Sequence, residues 1–193
     1  MLRRLPALVL AALALVATAG CADDVSPALR IDDTTISNDD FLDEVEEWAG
    51  NPAAIDPQML VSRAPGSYPG DVVRQLLQQR LDFELARVEF EARGLELTDA
   101  MREDALVALF GDPSAAEGAF QAFSPEFRTA FVDDVARQVA LQNELGADAY
   151  GQWQAEAYQS FDIEVNPRYG TWDEGTRSII AAGGPTAPST TAP

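Results

Sequence analysis

The chain has no histidine and no lysine, and its single cysteine is Cys21. Without histidine there is no Ser-His-Asp or Cys-His catalysis, and the commonest zinc ligand is missing. With Cys21 committed near the N-terminus, no zinc or haem site can be assembled, and no cofactor or metal is expected. A lone cysteine also excludes an internal disulfide. Positive charge is scarce: 13 arginines face 32 acids, a formal net charge of -19. Phosphate contacts need a basic face, so nucleic acid is excluded as a partner. An anionic membrane surface is equally unattractive to such a chain. Strong net charge of one sign favours solubility.

Carboxylates are the catalytic groups that remain in quantity, as in glycoside hydrolysis. Asp133-Asp134 and Glu46-Glu47 are adjacent pairs on expected helices, where neighbouring residues point apart. Asp39 and Asp40 are accounted for by helix capping. With so many acids close pairs arise by chance, and no catalytic motif frames them, so no enzyme activity is expected.

The one long apolar run covers residues 5–17, behind Arg3 and Arg4 and ahead of small residues. It is too short to span a bilayer comfortably and has the layout of a secretory signal. The stretch "TAGC" resembles a bacterial lipobox, with Thr18 where leucine is usual, in which Cys21 is lipidated and becomes the mature N-terminus. A plain secretory signal would leave Cys21 as a free thiol in an exported protein. Lipidation accounts better for its presence, so residues 1–20 are expected to be a lipoprotein signal peptide. Its removal leaves a net charge of -21, because 11 arginines then face all 32 acids. Any membrane attachment would rest on lipid at Cys21 rather than on charge.

Residues 21–27 read as a polar tether. Residues 176–193, ending in "AAGGPTAPSTTAP", read as a disordered Gly, Pro, Thr and Ala tail that cannot bury a core. Between them, residues 28–175 are long enough for one domain. "ALRID" predicts a strand over 28–32, followed by a turn through the threonines. Ser37 caps an acidic helix whose Phe41, Val45 and Trp48 share a face. "NPAAIDPQMLVSRAPGSYPG" is broken by prolines and glycines and reads as a long loop.

The longest helix is expected over 71–93, with Gly94 as its stop. Val73, Leu77, Leu81, Leu85 and Val88 form one apolar stripe on it, and Leu76, Phe83 and Phe90 a second. A helix apolar on two sides must run through the middle of a domain. Thr98 opens a helix to Phe110, a short helix is expected over 115–123, and Ser124-Pro125 opens a long one. A last helix over 147–159 leads into a strand over 161–165. The fold class is therefore mainly α, with five or six helices and a two-stranded ribbon made by the terminal strands. Such a ribbon is marginal alone and should pack on the helices.

The opening "ALRIDDTTISNDDFLDEV" resembles the start of the SurA-type extracytoplasmic chaperone N-terminal domain. The closing "FDIEVNPRYGTWD" is similar to the Val-Asn-Pro-Arg-Tyr-Gly-x-Trp segment that ends such modules in exported bacterial lipoproteins. The resemblance covers residues 28–173, with its specific residues at the two ends. It implies a lipid-anchored module on the outer face of a bacterial plasma membrane, holding unfolded or partly folded exported polypeptides in a helical cradle. Several members carry a parvulin prolyl-isomerase domain between the last helix and the closing strand. Here there is no room for one, and parvulin sites use histidines, so isomerase activity is not expected. The alternative is an accessory lipoprotein docking on one specific envelope protein.

A cradle needs apolar surface beyond one core. Leu76, Phe83, Phe90, Phe123, Phe127 and Phe131 are the candidate client-binding residues, although phenylalanine is also the ordinary material of a core. Arg168 and Tyr169 invite a reading as a site for a carboxylate or glycan. Turn chemistry accounts for the same stretch: Asn166-Pro167 end the strand, Gly170 makes the turn, Tyr169 and Trp172 cover the ribbon, and Arg168 pairs with nearby acids.

Overall fold

β1 (Leu29–Ile31) is the central strand of a three-stranded antiparallel sheet, in a computed structural model that describes residues 26–51 and 68–183. On one side it pairs with β2 (Thr34–Ile36), and on the other with β3 (Ile163–Val165). Leu29 faces Val165, Arg30 faces Glu164 and Ile31 faces Ile163, so the two ends of the domain close on each other. The two-residue period puts Leu29, Ile31, Ile36 and Ile163 into the core and leaves Arg30, Thr35 and Glu164 outside.

The ribbon of terminal strands is present, but with a third strand where a turn through the threonines was expected. Asp32 takes a left-handed conformation (φ 48°). The chain therefore reverses within Asp32-Asp33, freeing β-branched Thr34 and Thr35 to pair. The turn is tied to β3 from both directions. Asp32 N–H donates to the Asp162 carbonyl at 3.0 Å, and Asp162 N–H donates to Asp32 Oδ1 at 2.8 Å.

Among the described residues six α-helices lie between β2 and β3. α1 (Asn38–Ala49) starts at Ser37, whose Oγ accepts from Asp40 N–H at 3.0 Å. Its Phe41, Val45 and Trp48 are buried. α2 (Gly70–Ala92) buries Leu77, Leu81 and Leu85 as well as Leu76, Phe83 and Phe90. Its first part sits in the main core, and Ala86 and Phe90 join a second cluster with Leu141 and Tyr150. The doubly apolar helix is thus the central one, with Val73 and Val88 only half-buried.

α3 (Asp99–Phe110) is capped by Thr98. The helix expected over 115–123 is shorter: a 3-10 turn, Pro113–Ala115, runs into α4 (Ala116–Ala119). Phe120 and Phe123 are both buried beyond it, and a turn with Phe123 N–H on the Phe120 carbonyl (3.1 Å) carries the chain inward. α5 (Pro125–Leu145) begins with Ser124 Oγ accepting from Phe127 N–H at 3.2 Å. α6 (Ala147–Ser160) then reaches β3 across only Phe161 and Asp162.

The domain does not end at Gly175. β4 (Thr171–Asp173) and β5 (Ser178–Ile180) form a hairpin, so residues 176–180 belong to the fold and not to a tail. Asp173 Oδ1 holds the turn by accepting from the Thr176 N–H (2.7 Å) and hydroxyl (3.0 Å). Ile179 is buried, and its N–H donates to Gln78 Oε1 on α2 at 3.0 Å. The signal, Cys21, most of the tether, residues 52–67 of the long loop, and residues 184–193 lie outside the described residues. Among the described residues no helix is long and apolar enough to cross a membrane.

Candidate functional site: an acid-rimmed aromatic cleft

α1, α2 and α5 enclose a cleft of about 410 Å³. Its floor is aromatic because α2 and α5 each turn a phenylalanine face towards α1. Phe83 comes from α2, and Phe127 and Phe131 come from α5. Behind them Trp48 of α1 meets Phe123, Phe127 and Phe131 edge-on, with ring centroids 5.1, 5.9 and 5.2 Å away. Edge-to-face packing fixes the rings as well as burying them.

The rim has the opposite character. Seven carboxylates line the cleft against one guanidinium, that of Arg80. Glu47 is tied down, its Oε2 accepting from the Ser124 N–H at 2.9 Å. This places a negative charge at the N-terminus of α5, where the helix dipole favours it. Asp40, Asp43 and Glu126 stand at the entrance and are exposed.

Deeper in, three carboxylates converge on Arg80. Its guanidinium donates to Glu84 one helical turn along α2 and to Asp134 Oδ2 on α5 at 3.0 Å. Arg87 closes on Glu84 (2.8 Å) and Arg137 on Asp134 (2.9 Å). Glu44 of α1 is the third carboxylate. Burial pushes its pKa up to about 7; Arg80 and the Trp48 indole pull it back, while Asp134 and Glu84 push it further up. Asp134 is also raised by burial, against the pull of Arg80 and Arg137. The cleft is therefore a low-dielectric, negatively biased space over an aromatic floor. A chain carrying both apolar and basic side chains fits that chemistry.

The six candidate client-binding residues divide into three groups. Phe83, Phe123, Phe127 and Phe131 come together in the aromatic cluster, and three of them line the cleft. Leu76 is in the main core and Phe90 in the second cluster, neither in the cleft. Five of the six are buried, Phe83 at 4% and Phe131 at 7% exposure, so only the half-buried Phe127 presents appreciable surface. As a broad exposed apolar cradle the set is corrected: five of these residues are core, with Trp48 and Phe120 packed on the rings of Phe123 and Phe131, and Phe90 in the second cluster.

The adjacent acids do point apart. Asp133 binds Arg102 of α3 at 2.7 Å, whereas Asp134 faces α2. The polar part of the cleft was missed in the sequence. Its signal is the Arg80, Glu84, Arg87, Glu91 ladder at helical spacing, which sets a carboxylate, Glu84, among the buried positions of α2.

The stretch around Arg168 is a structural clasp. Asn166 Oδ1 accepts from the Arg168 N–H at 3.0 Å, and the Asn166 carbonyl accepts from Tyr169 and Gly170 at 2.9 and 3.3 Å. Tyr169 packs edge-on against Phe41 at 5.1 Å. Arg168 lies over the Tyr169 ring, 6.0 Å from its centroid, and forms no ion pair among the described residues, contrary to expectation. Gly170 has a different reason from the turn expected of it. A Cβ there would meet the Ile180 carbonyl oxygen at 2.5 Å and Ile179 Cγ2 at 2.8 Å.

Comparison with protein-family models, with curated proteins and with solved structures gives no match.

Proposed function

We propose that this protein is a lipid-anchored, extracytoplasmic chaperone-like module that binds exported polypeptides and has no prolyl-isomerase activity. The observation that carries the reading is the acid-rimmed cleft with its phenylalanine floor. An apolar side chain of a client would sit against Phe127, the half-buried ring of that floor, with Phe83 and Phe131 packed beneath it. Arginine or lysine side chains beside it would meet Asp40, Asp43 and Glu126. Further support comes from the terminal strands pairing over the helices, the arrangement implied by the SurA-type resemblance.

The test is suppression of aggregation of unfolded clients by the protein lacking residues 1–20, together with crosslinking in intact cells. Charge reversal at the exposed rim, Asp43→Arg with Glu126→Arg, leaves the core untouched and should reduce capture of basic clients severalfold. Phe127→Ser should reduce capture of all clients. Many crosslinked clients are the expected result. A single dominant partner would overturn the holdase reading in favour of an accessory lipoprotein, and no suppression with no captured client would remove both.

A further inference from the structure

A second pocket, of about 210 Å³, opens where α6, β3 and the β4–β5 hairpin meet, and it shares no lining residue with the cleft. Three aromatic side chains line it: Tyr158 at the end of α6, Phe161 just after it, and Trp172 on β4. Two carboxylates, Asp162 and Glu174, line it with Gln159 and Ile163, and no arginine contributes.

Each wall is held from behind. The Tyr158 hydroxyl donates to Asp82 on α2 and accepts from Gln154 at 3.2 Å, which fixes the ring by its inner end. The Trp172 ring lies against it at 5.5 Å, tilted by 47°. Trp172 is itself set by pairing with Ile179 across the hairpin. The Asp162 backbone is tied through both its N–H and its carbonyl to Asp32, so its carboxylate is carried on a fixed main chain. Glu174 stands in the turn that Asp173 locks.

Among the described residues neither Asp162 nor Glu174 is in an ion pair, and Arg177, three positions beyond Glu174, forms none either. The pocket thus combines aromatic rings with uncompensated negative charge. Ring faces attract cations through their quadrupole, and the choice of ring over water is strongest for weakly hydrated alkylammonium groups. The volume is below that of ordinary small-molecule sites, so it suits a head group rather than a large ligand. We propose that this pocket binds the methylated ammonium head of a small organic cation.

The test uses choline and its neutral isostere, 3,3-dimethylbutanol, with calorimetry and the indole N–H signal of Trp172 as readouts. Choline should bind saturably and shift that signal, and the isostere should bind at least about tenfold more weakly, since the charge is what the rings and carboxylates recognise. Trp172→Ala should weaken choline about tenfold, and Trp172→Phe, which keeps a ring, should recover most of the affinity by calorimetry. Glu174→Gln, on the surface, should weaken it a few-fold without affecting folding. A parallel arm measures co-sedimentation with phosphatidylcholine vesicles, using the protein without residues 1–20. Binding to the vesicles assigns the head group to lipid, and binding of free choline alone assigns it to a soluble cation. Equal binding of the neutral isostere, choline binding unchanged in both Trp172→Ala and Glu174→Gln, or binding of neither choline nor vesicles would overturn the proposal.

Discussion

Glu44 is the residue whose chemistry departs furthest from its ordinary behaviour in the cleft. Its pKa rises from 4.5 to about 7, with burial as the main cause. The unfolded chain therefore gives up this proton at a lower pH than the folded one does. Between those two values the native state binds more protons, so stability falls as pH rises and levels off above about 7. Asp134 and Asp82, both raised by burial, slope in the same direction. Glu44→Gln removes one contribution and leaves the others. The variant should be more stable than the parent at pH 8, on the order of 3 kcal/mol, with the difference vanishing near pH 4. Urea unfolding of both proteins across that range checks it, and a difference constant with pH would mean that folding leaves the Glu44 pKa where it stands in the unfolded chain.

At the scale of elements, legibility followed the length of the repeat. α1, α3 and α5 could be read because Ser37, Thr98 and Ser124 are cap residues standing ahead of a helical apolar period. α2 was readable as the central helix because its apolar residues fill two sides. The strands are three residues each, which leaves little room for a two-residue period, and β2, β4 and β5 were therefore missed. β1 and β3 could be read from the short alternations in "ALRID" and "FDIEV", and their position at the two ends pointed to their pairing. The cleft was half legible. Its phenylalanines stood out by type, but the Arg80 network depends on α5 facing α2, which no local pattern announces.

The missed hairpin carries its own prediction. Ile179 is 7% exposed and packs with α2, so Ile179→Ala should cost about 2–4 kcal/mol in chemical denaturation. Gly170→Ala should cost about 1–3 kcal/mol, since a Cβ would press on the Ile180 carbonyl at 2.5 Å and that backbone is held by β4. Parent-like stability in both variants would make the hairpin an appendage rather than part of the core.

For the whole molecule, charge and anchoring are linked. The chain after residue 20 carries 11 arginines against 32 acids, so an anionic bilayer surface repels it. No described helix can cross a membrane. If the protein resides at a membrane through lipid on Cys21, as proposed, a single acyl chain would hold it only marginally and reversibly. Stable residence therefore calls for at least two chains on that residue. The expected outcome is that the parent stays with membranes through a high-salt wash and leaves in detergent, because salt screens charge but does not weaken burial of hydrocarbon. Cys21→Ser should appear in the soluble fraction while keeping the unfolding transition of the parent. Mass spectrometry of the parent's N-terminal peptide should find Cys21 at the mature terminus with its added lipid mass. Release by salt alone, or an unmodified Cys21, would overturn the lipid anchor at Cys21.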